Sequence, residues 1–273
     1  MIATVASPAS AARSRTMLVS FLGAIVRRLG NWMPIAGTVD LITPLGLDAP
    51  SVRTAVSRLK KRGWLDSEAR AGQRGYVLTE PALQALAAGD DVVWHARQPA
   101  DLADGWCIVN ASVPETARGA RHQLRAHLAA LGFGNISTAL WIAPARMRGA
   151  AERAITELEA SRHCAVFVGD HVAGRDLGEM LQQSWDLEAV DRGYRAFLGR
   201  YEPELARLSS TALVDPREAF TAYLAMIDRW RRLPFRDPGL PRELLGGDWS
   251  APAAGALFEQ LVSLLEGRAL AHA

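Results

Sequence analysis

Residues 51–79 read SVRTAVSRLKKRGWLDSEARAGQRGYVLT, and their polar side chains are of the types that meet nucleic acid. At helical spacing Arg53, Thr54, Ser57, Arg58 and Lys61 share one face, with Ser51, Lys60 and Arg62 beside them. Arginine forks onto base edges or phosphate, while Ser and Thr are short enough to allow close approach to a groove. Downstream, Arg70, Gln73 and Arg74 surround the glycine-punctuated stretch 71–75, a hairpin tip suited to backbone phosphate. The only lysines of the chain are the adjacent Lys60 and Lys61. A solvated amphipathic helix would account for charge alone. Bases interleaved with small hydroxyls, followed at once by a basic tip, favour DNA.

Such a face needs an element to hold it. Val52, Ala55, Val56 and Leu59 recur at the same period and make the opposite, apolar stripe. Asp48 or Ala49 is the expected N-cap, Pro50 fits the first turn, and Gly63 ends the helix. The runs 64–67 and 76–79 follow as two short strands. Upstream, 17–29 is strongly apolar and reads as a first helix closed by Gly30 and Asn31. The stretch 32–41 reads as a second helix, with Pro34 near its start. Three helices and a two-stranded wing make a winged helix-turn-helix, whose last helix enters the major groove while the wing meets phosphate. This module is expected over 13–98, preceded by a frayed Ala/Ser/Pro tail over 1–12 and closed by a connector helix over 81–97 weakened at Gly89.

The whole-chain charge of +2 hides an asymmetry. Up to Gln98 there are twelve Lys and Arg against seven Asp and Glu, while the remainder carries 19 against 22. Positive charge is concentrated where the DNA face was placed, as an electrostatic footprint requires. At 273 residues and 49% hydrophobic, the chain can build two or three domains with full cores. No apolar run approaches the ~20 residues of a membrane span, and the start lacks the pattern of a secretory signal. A cytoplasmic protein without membrane contact is expected. Cys107 and Cys164 are far apart, so reduced thiols are expected and no zinc site or disulfide framework can be argued.

Beyond Pro99 the pattern changes. Strands are expected over 106–113, 132–136, 138–143 and 163–169, with helices over 115–131 and 147–160 between them. The order βαββαβ is that of a ferredoxin-like split βαβ fold, here over 99–174. Its first and last strands are antiparallel neighbours, which would set Cys107 and Cys164 at opposite ends of the pair. From 175 to 273 the signal is helical, over 177–185, 187–209, 216–233 and 254–269, broken by the proline-rich 234–241. The fold class is α+β: a winged helix-turn-helix, a ferredoxin-like domain for dimerisation or sensing, and an all-helical C-terminal domain.

Four strings in order, VRTAVSRLKKRGWL with YVLT, WCIVNASVPETARGARHQLRAHLAALGFG, WDLEAVDRGYRAFLGRY and LPFRDPGLPRELLGGDW, resemble the PaaX-type repressors of phenylacetic acid degradation. The resemblance covers most of the chain after the tail. It implies the same three domains and a dimeric repressor released from double-stranded operator DNA by an aromatic acyl-CoA thioester, phenylacetyl-CoA or another. Members commonly carry an aspartate two residues before the proline after the first central strand. Ser112 stands there, ahead of Pro114, so no divalent-metal nuclease site is expected.

The six histidines do not cluster by spacing, and no nucleophile elbow or phosphate loop is present. Neither an enzyme nor a cofactor is expected. A second basic cluster, Arg229, Trp230, Arg232, Phe235 and Arg236, could meet the phosphates and aromatic end of such a thioester. A solvated helix terminus explains it as well. Trp141, Trp185 and Trp249 join Trp230 as candidates for an aromatic pocket. The alternative to a ligand-responsive regulator is a DNA-binding architectural or interaction protein without an effector.

Overall fold

Residues 8–94, 98–211 and 213–273 are described by the computed structural model. Helix α1 (Pro8–Ala24) is followed by a 3-10 turn at Val26–Leu29, so the expected tail turns helical from Pro8; residues 1–7 lie outside the described ones. Trp32 does not begin a helix. Trp32–Pro34 is a strand, β1, and α2 (Ile35–Ile42) starts only after it. Then come α3 (Ala49–Lys61), β2 (Leu65–Arg70), β3 (Gln73–Leu78), α4 (Glu80–Ala87) and α5 (Asp90–Trp94). The three strands form an antiparallel sheet in the order β1-β3-β2, so the expected two-stranded wing has a third strand. Trp32 explains the difference, because its ring lies against Gly75 of β3. A Cβ at Gly75 would run into the Met33 carbonyl and come within 2.6 Å of that ring.

The second set of strands is β4 (Trp106–Ala111), β5 (Gly134–Asn135), β6 (Leu140–Pro144) and β7 (Cys164–Gly169), with α6 (Arg118–Ala130) and α7 (Arg148–Glu157) between them. Their sheet order, β5-β6-β4-β7, is antiparallel throughout, the order a split βαβ connectivity gives. Cys107 pairs with Val168 and Ala111 with Cys164, so the thiols sit at opposite ends of the β4–β7 pair. One sheet face buries Cys107, Val109, Trp141 and Ala143 against Leu124, Leu128 and Ile155 of the two helices. The other packs Trp106 and Ile142 with Leu181 and Leu240. Four helices follow: α8 (Leu177–Ser184), α9 (Leu187–Ser209), α10 (Pro216–Trp230) and α11 (Ala251–His272).

Contacts divide the chain differently from the expected third domain over 175–273. One compact unit holds the described residues through Trp94 together with Phe197–Arg232 and Ala253–Ala273; the other holds those up to Ala196 together with Leu233–Pro252. In the first unit α10 and α11 complete the N-terminal core. Phe21 of α1 meets Phe220 edge-on at 6.3 Å, and Trp230 stacks on Phe258 at 4.4 Å while donating to the Val93 carbonyl at 2.7 Å. The buried Asp228 accepts from Ser20 at 2.9 Å, and Arg231 donates to Ser20 and to the Thr16 carbonyl. In the second unit Tyr194 donates to the buried Asp237 at 3.0 Å, and Trp185 donates to the Gly132 carbonyl beside β5.

Candidate nucleic-acid interface

The Asp48 carboxylate starts α3, accepting from the Ser51 amide and the Ser51 hydroxyl, each at 2.8 Å. These bonds hold its carboxyl below the ordinary range, the amide bond contributing most. They also remove Ser51 from the expected contact set. Its side chain is buried at the cap, facing the core rather than solvent. Val52, Ala55, Val56 and Leu59 are buried as one stripe, which obliges the opposite side to face outward. There Arg53, Thr54, Ser57, Arg58, Lys60, Lys61 and Arg62 are all exposed. Gly63 then turns the chain at φ 74°.

The hairpin is tighter than its sequence suggests. Strands β2 and β3 pair through Arg70 and Gln73, leaving only Ala71 and Gly72 as the turn, at φ 48° and 78°. Two left-handed residues match the twist of the flanking strands. Gln73 and Arg74 are exposed near the tip. A groove of about 630 Å³ between α3 and the hairpin is lined by Arg53, Val56, Ser67, Glu68, Arg74 and Tyr76. Arg53 from the helix and Arg74 from the hairpin therefore border one concavity.

Two cations of the expected set carry structural bonds. Lys60 donates to the Ser67 hydroxyl at 2.6 Å, tying helix to hairpin. Arg70 bonds Glu68 at 2.5 Å and lies 5.5 Å above the Trp32 ring. Among the described residues, Arg53, Arg58, Lys61, Arg62 and Arg74 have no carboxylate within ion-pair reach. Five exposed cations without an ion pair among the described residues form a surface that attracts a polyanion. Trp32, which sequence reasoning placed in a helix, shapes this surface through Arg70 and through its Nε1 bond to the Glu68 carbonyl at 3.3 Å. Gly75 is its visible signal, a glycine three positions past the turn with no turn to make.

The second basic cluster is divided in its duties. Trp230 is fully buried, and Arg232 bonds Asp228. Arg229, Phe235 and Arg236 are exposed. Of the other tryptophans, Trp141 is buried in a sheet core, while Trp185 and Trp249 line a concavity of about 620 Å³. Asp186, Glu188, Asp191 and Asp248 line it too, a carboxylate-rich wall that repels a phosphate-bearing ligand. Among the described residues no group of three or more His, Cys, Asp and Glu is placed to hold a metal. No helix among them is long and apolar enough to cross a membrane.

Comparison with known proteins adds what geometry alone does not. The chain is 27% identical over 265 residues to the transcriptional repressor PaaX of Escherichia coli strain K12, covering 94% of this chain and 82% of that one. It superposes with a TM-score of 0.60 on the uncharacterized protein Rv0674 from Mycobacterium tuberculosis, at 19% identity over 94% of this chain and 97% of the other, a likeness of fold. Three family models cover it in order: PaaX-like protein over residues 13–82, the PaaX protein central Cas2-like domain over 99–181, and the PaaX-like protein C-terminal domain over 185–273. With nearly the whole length matched in the family's own order, the chain belongs to the PaaX family.

Proposed function

We propose that this protein is a transcriptional repressor that reads double-stranded operator DNA through the exposed face of α3 and the β2–β3 hairpin, acting as a winged helix-turn-helix. The observation that carries this is the unpaired cation set on one face of α3, continued by Arg74 across the shared groove. Helix dimensions suit the major groove, and Arg53, Thr54, Ser57 and Arg58 lie where base edges would be met. Lys61, Arg62 and Arg74 then face phosphate. The likeness to a relative named as a transcriptional repressor supports the same reading. On this reading the protein is a regulator, not an enzyme.

Two further properties belong to this proposal. The protein acts as a homodimer, because one module buries too little surface for tight specific binding, and two modules impose a near-palindromic operator. An aryl-CoA thioester, phenylacetyl-CoA or a relative, releases it from an operon of aromatic catabolism. Trp230 is buried and Arg232 is held by Asp228, so of the expected cluster Arg229 in one unit, or Phe235 and Arg236 in the other, remain exposed for the effector. A hundredfold preference for the DNA-incompetent state corresponds to about 2.7 kcal/mol of coupling, and the operator must weaken thioester binding by the same factor. Calorimetry with phenylacetyl-CoA and other aromatic thioesters, with and without operator, tests both sides. Binding that is absent at millimolar concentration or indifferent to operator would leave a DNA-binding protein without a small-molecule effector.

A further inference from the structure

Charge beyond Gln98 is unevenly placed too, and reading by α3 and the hairpin leaves that unused. This part of the chain carries 19 Lys and Arg against 22 Asp and Glu. Between Glu115 and Glu152, however, stand five arginines, two histidines and no acid. Arg118, Arg121 and Arg125 belong to α6 and share one side of it with His122, three or four residues apart. Leu124 and Leu128 are buried in the sheet core, which fixes how the helix is turned. Arg118 and His122 are then exposed, with Arg121 and Arg125 half-buried beside them. Arg125 donates to the Thr138 carbonyl at 3.0 Å and stands 5.4 Å over the Trp141 ring. Its guanidinium is thereby held in place, and that bond uses one of its five donors. Arg118 and His122 make no ion pair among the described residues. Two arginines and no acid fill the first turn of α6, the reverse of what the helix dipole favours. The stability of α6 does not call for them.

We propose that this side of α6 is a second contact with duplex DNA, one that holds phosphates without reading bases. The proposal rests on the DNA-reading function above and adds a surface to it. Charge complementarity selects the partner. From Arg118 to Arg125 the row runs about 10.5 Å along the helix axis. One strand of a duplex carries a charge every ~3.4 Å along its axis, so the row spans about three phosphates. A small anionic ligand is the poorer fit, because its site is a concavity and a helix face is convex. Arginine forks onto phosphate oxygens, and His122 adds an imidazole N–H to the row. Such contacts carry no sequence information and raise affinity for every duplex alike. They also add to the salt dependence of binding, since each phosphate met releases its condensed counterion.

The test is fluorescence anisotropy of the full chain on operator and on random duplex, across a salt series. Arg118→Glu with His122→Glu, at two exposed positions, should weaken binding to both duplexes about tenfold or more at 0.1 M salt. The slope of log affinity against log salt should fall by about one for each phosphate lost. The motif enriched from random duplexes should stay that of wild type, and the thermal melt should not change. Ala129 is exposed one turn beyond Arg125 on the same side. Ala129→Arg lengthens the row without removing any member of it, and should strengthen binding to both duplexes and steepen the slope. Wild-type affinity and slope in both variants overturn the proposal. So does a double-glutamate protein that loses phenylacetyl-CoA binding while its DNA binding is intact, which assigns the row to the effector. The reading by α3 fails separately. Wild type that enriches no motif, yet binds duplex in a salt-dependent way weakened by the glutamates, removes that reading and leaves the α6 contact standing.

Discussion

At the scale of single residues, the proposed function assigns by position which cation meets DNA and which one holds the fold. Arg53 rises from the exposed face of α3, so Arg53→Ala should cost about 1–3 kcal/mol of operator affinity and relax preference at one base pair. Arg74 lies across the groove on the hairpin, and Arg74→Ala should weaken all sequences alike and lower the salt slope by about one. Fluorescence anisotropy on operator variants at several salt concentrations checks both; exchanged outcomes would reverse the assignment. Asp48 acts one step earlier, by holding the first turn of α3. Asp48→Ala should lower the urea midpoint, with Asp48→Asn losing much less. Because the folded carboxyl is depressed, its stabilisation is complete above the ordinary carboxylate range and is lost as pH falls through the lowered value. Cys107 is a contrasting case. Burial pushes its thiol up to about 11, with Glu152 adding to the shift, so it should resist alkylation in the native protein and react on unfolding.

At the scale of elements, strong periodicity was readable and close approach was not. The α3 stripe, α9 over Leu187–Ser209 and the strand order of the second sheet all follow from spacing visible in the residues. β1 did not. It is three residues long, and Pro34 before an apolar run carries the signature of a helix start. What makes it a strand is tertiary, the fit of Trp32 over Gly75, which no local pattern expresses. Gly75→Ala should therefore misplace Trp32 and the Arg70 resting on it, seen as lost tryptophan fluorescence protection and weaker DNA binding. Ala71 at the turn sits in the left-handed region without being glycine. Ala71→Asn should raise stability by up to about 1 kcal/mol, and an unchanged or lower melting temperature would contradict the turn assignment.

For the whole molecule, the sequence order of domains and their spatial grouping part company. The three family segments follow one another along the chain, yet α10 and α11 bury their aromatic rings with α1 and α5. Periodicity in 216–233 and 254–269 shows that each helix has an apolar face. It does not show what covers that face, so a separate C-terminal domain was the natural expectation. The contacts make a different claim. A fragment ending at residue 98 loses the partners of Phe21, Ser20 and Trp94, and should give a broad, non-cooperative melt rather than an independent fold. The claim on which all of this depends is sequence-specific reading by α3, and selection of random duplexes by the full-length protein tests it most directly. A near-palindromic motif should be enriched, with Arg53→Ala relaxing one position in each half-site. No enriched motif, or one unchanged by Arg53→Ala and Arg58→Ala, would contradict it.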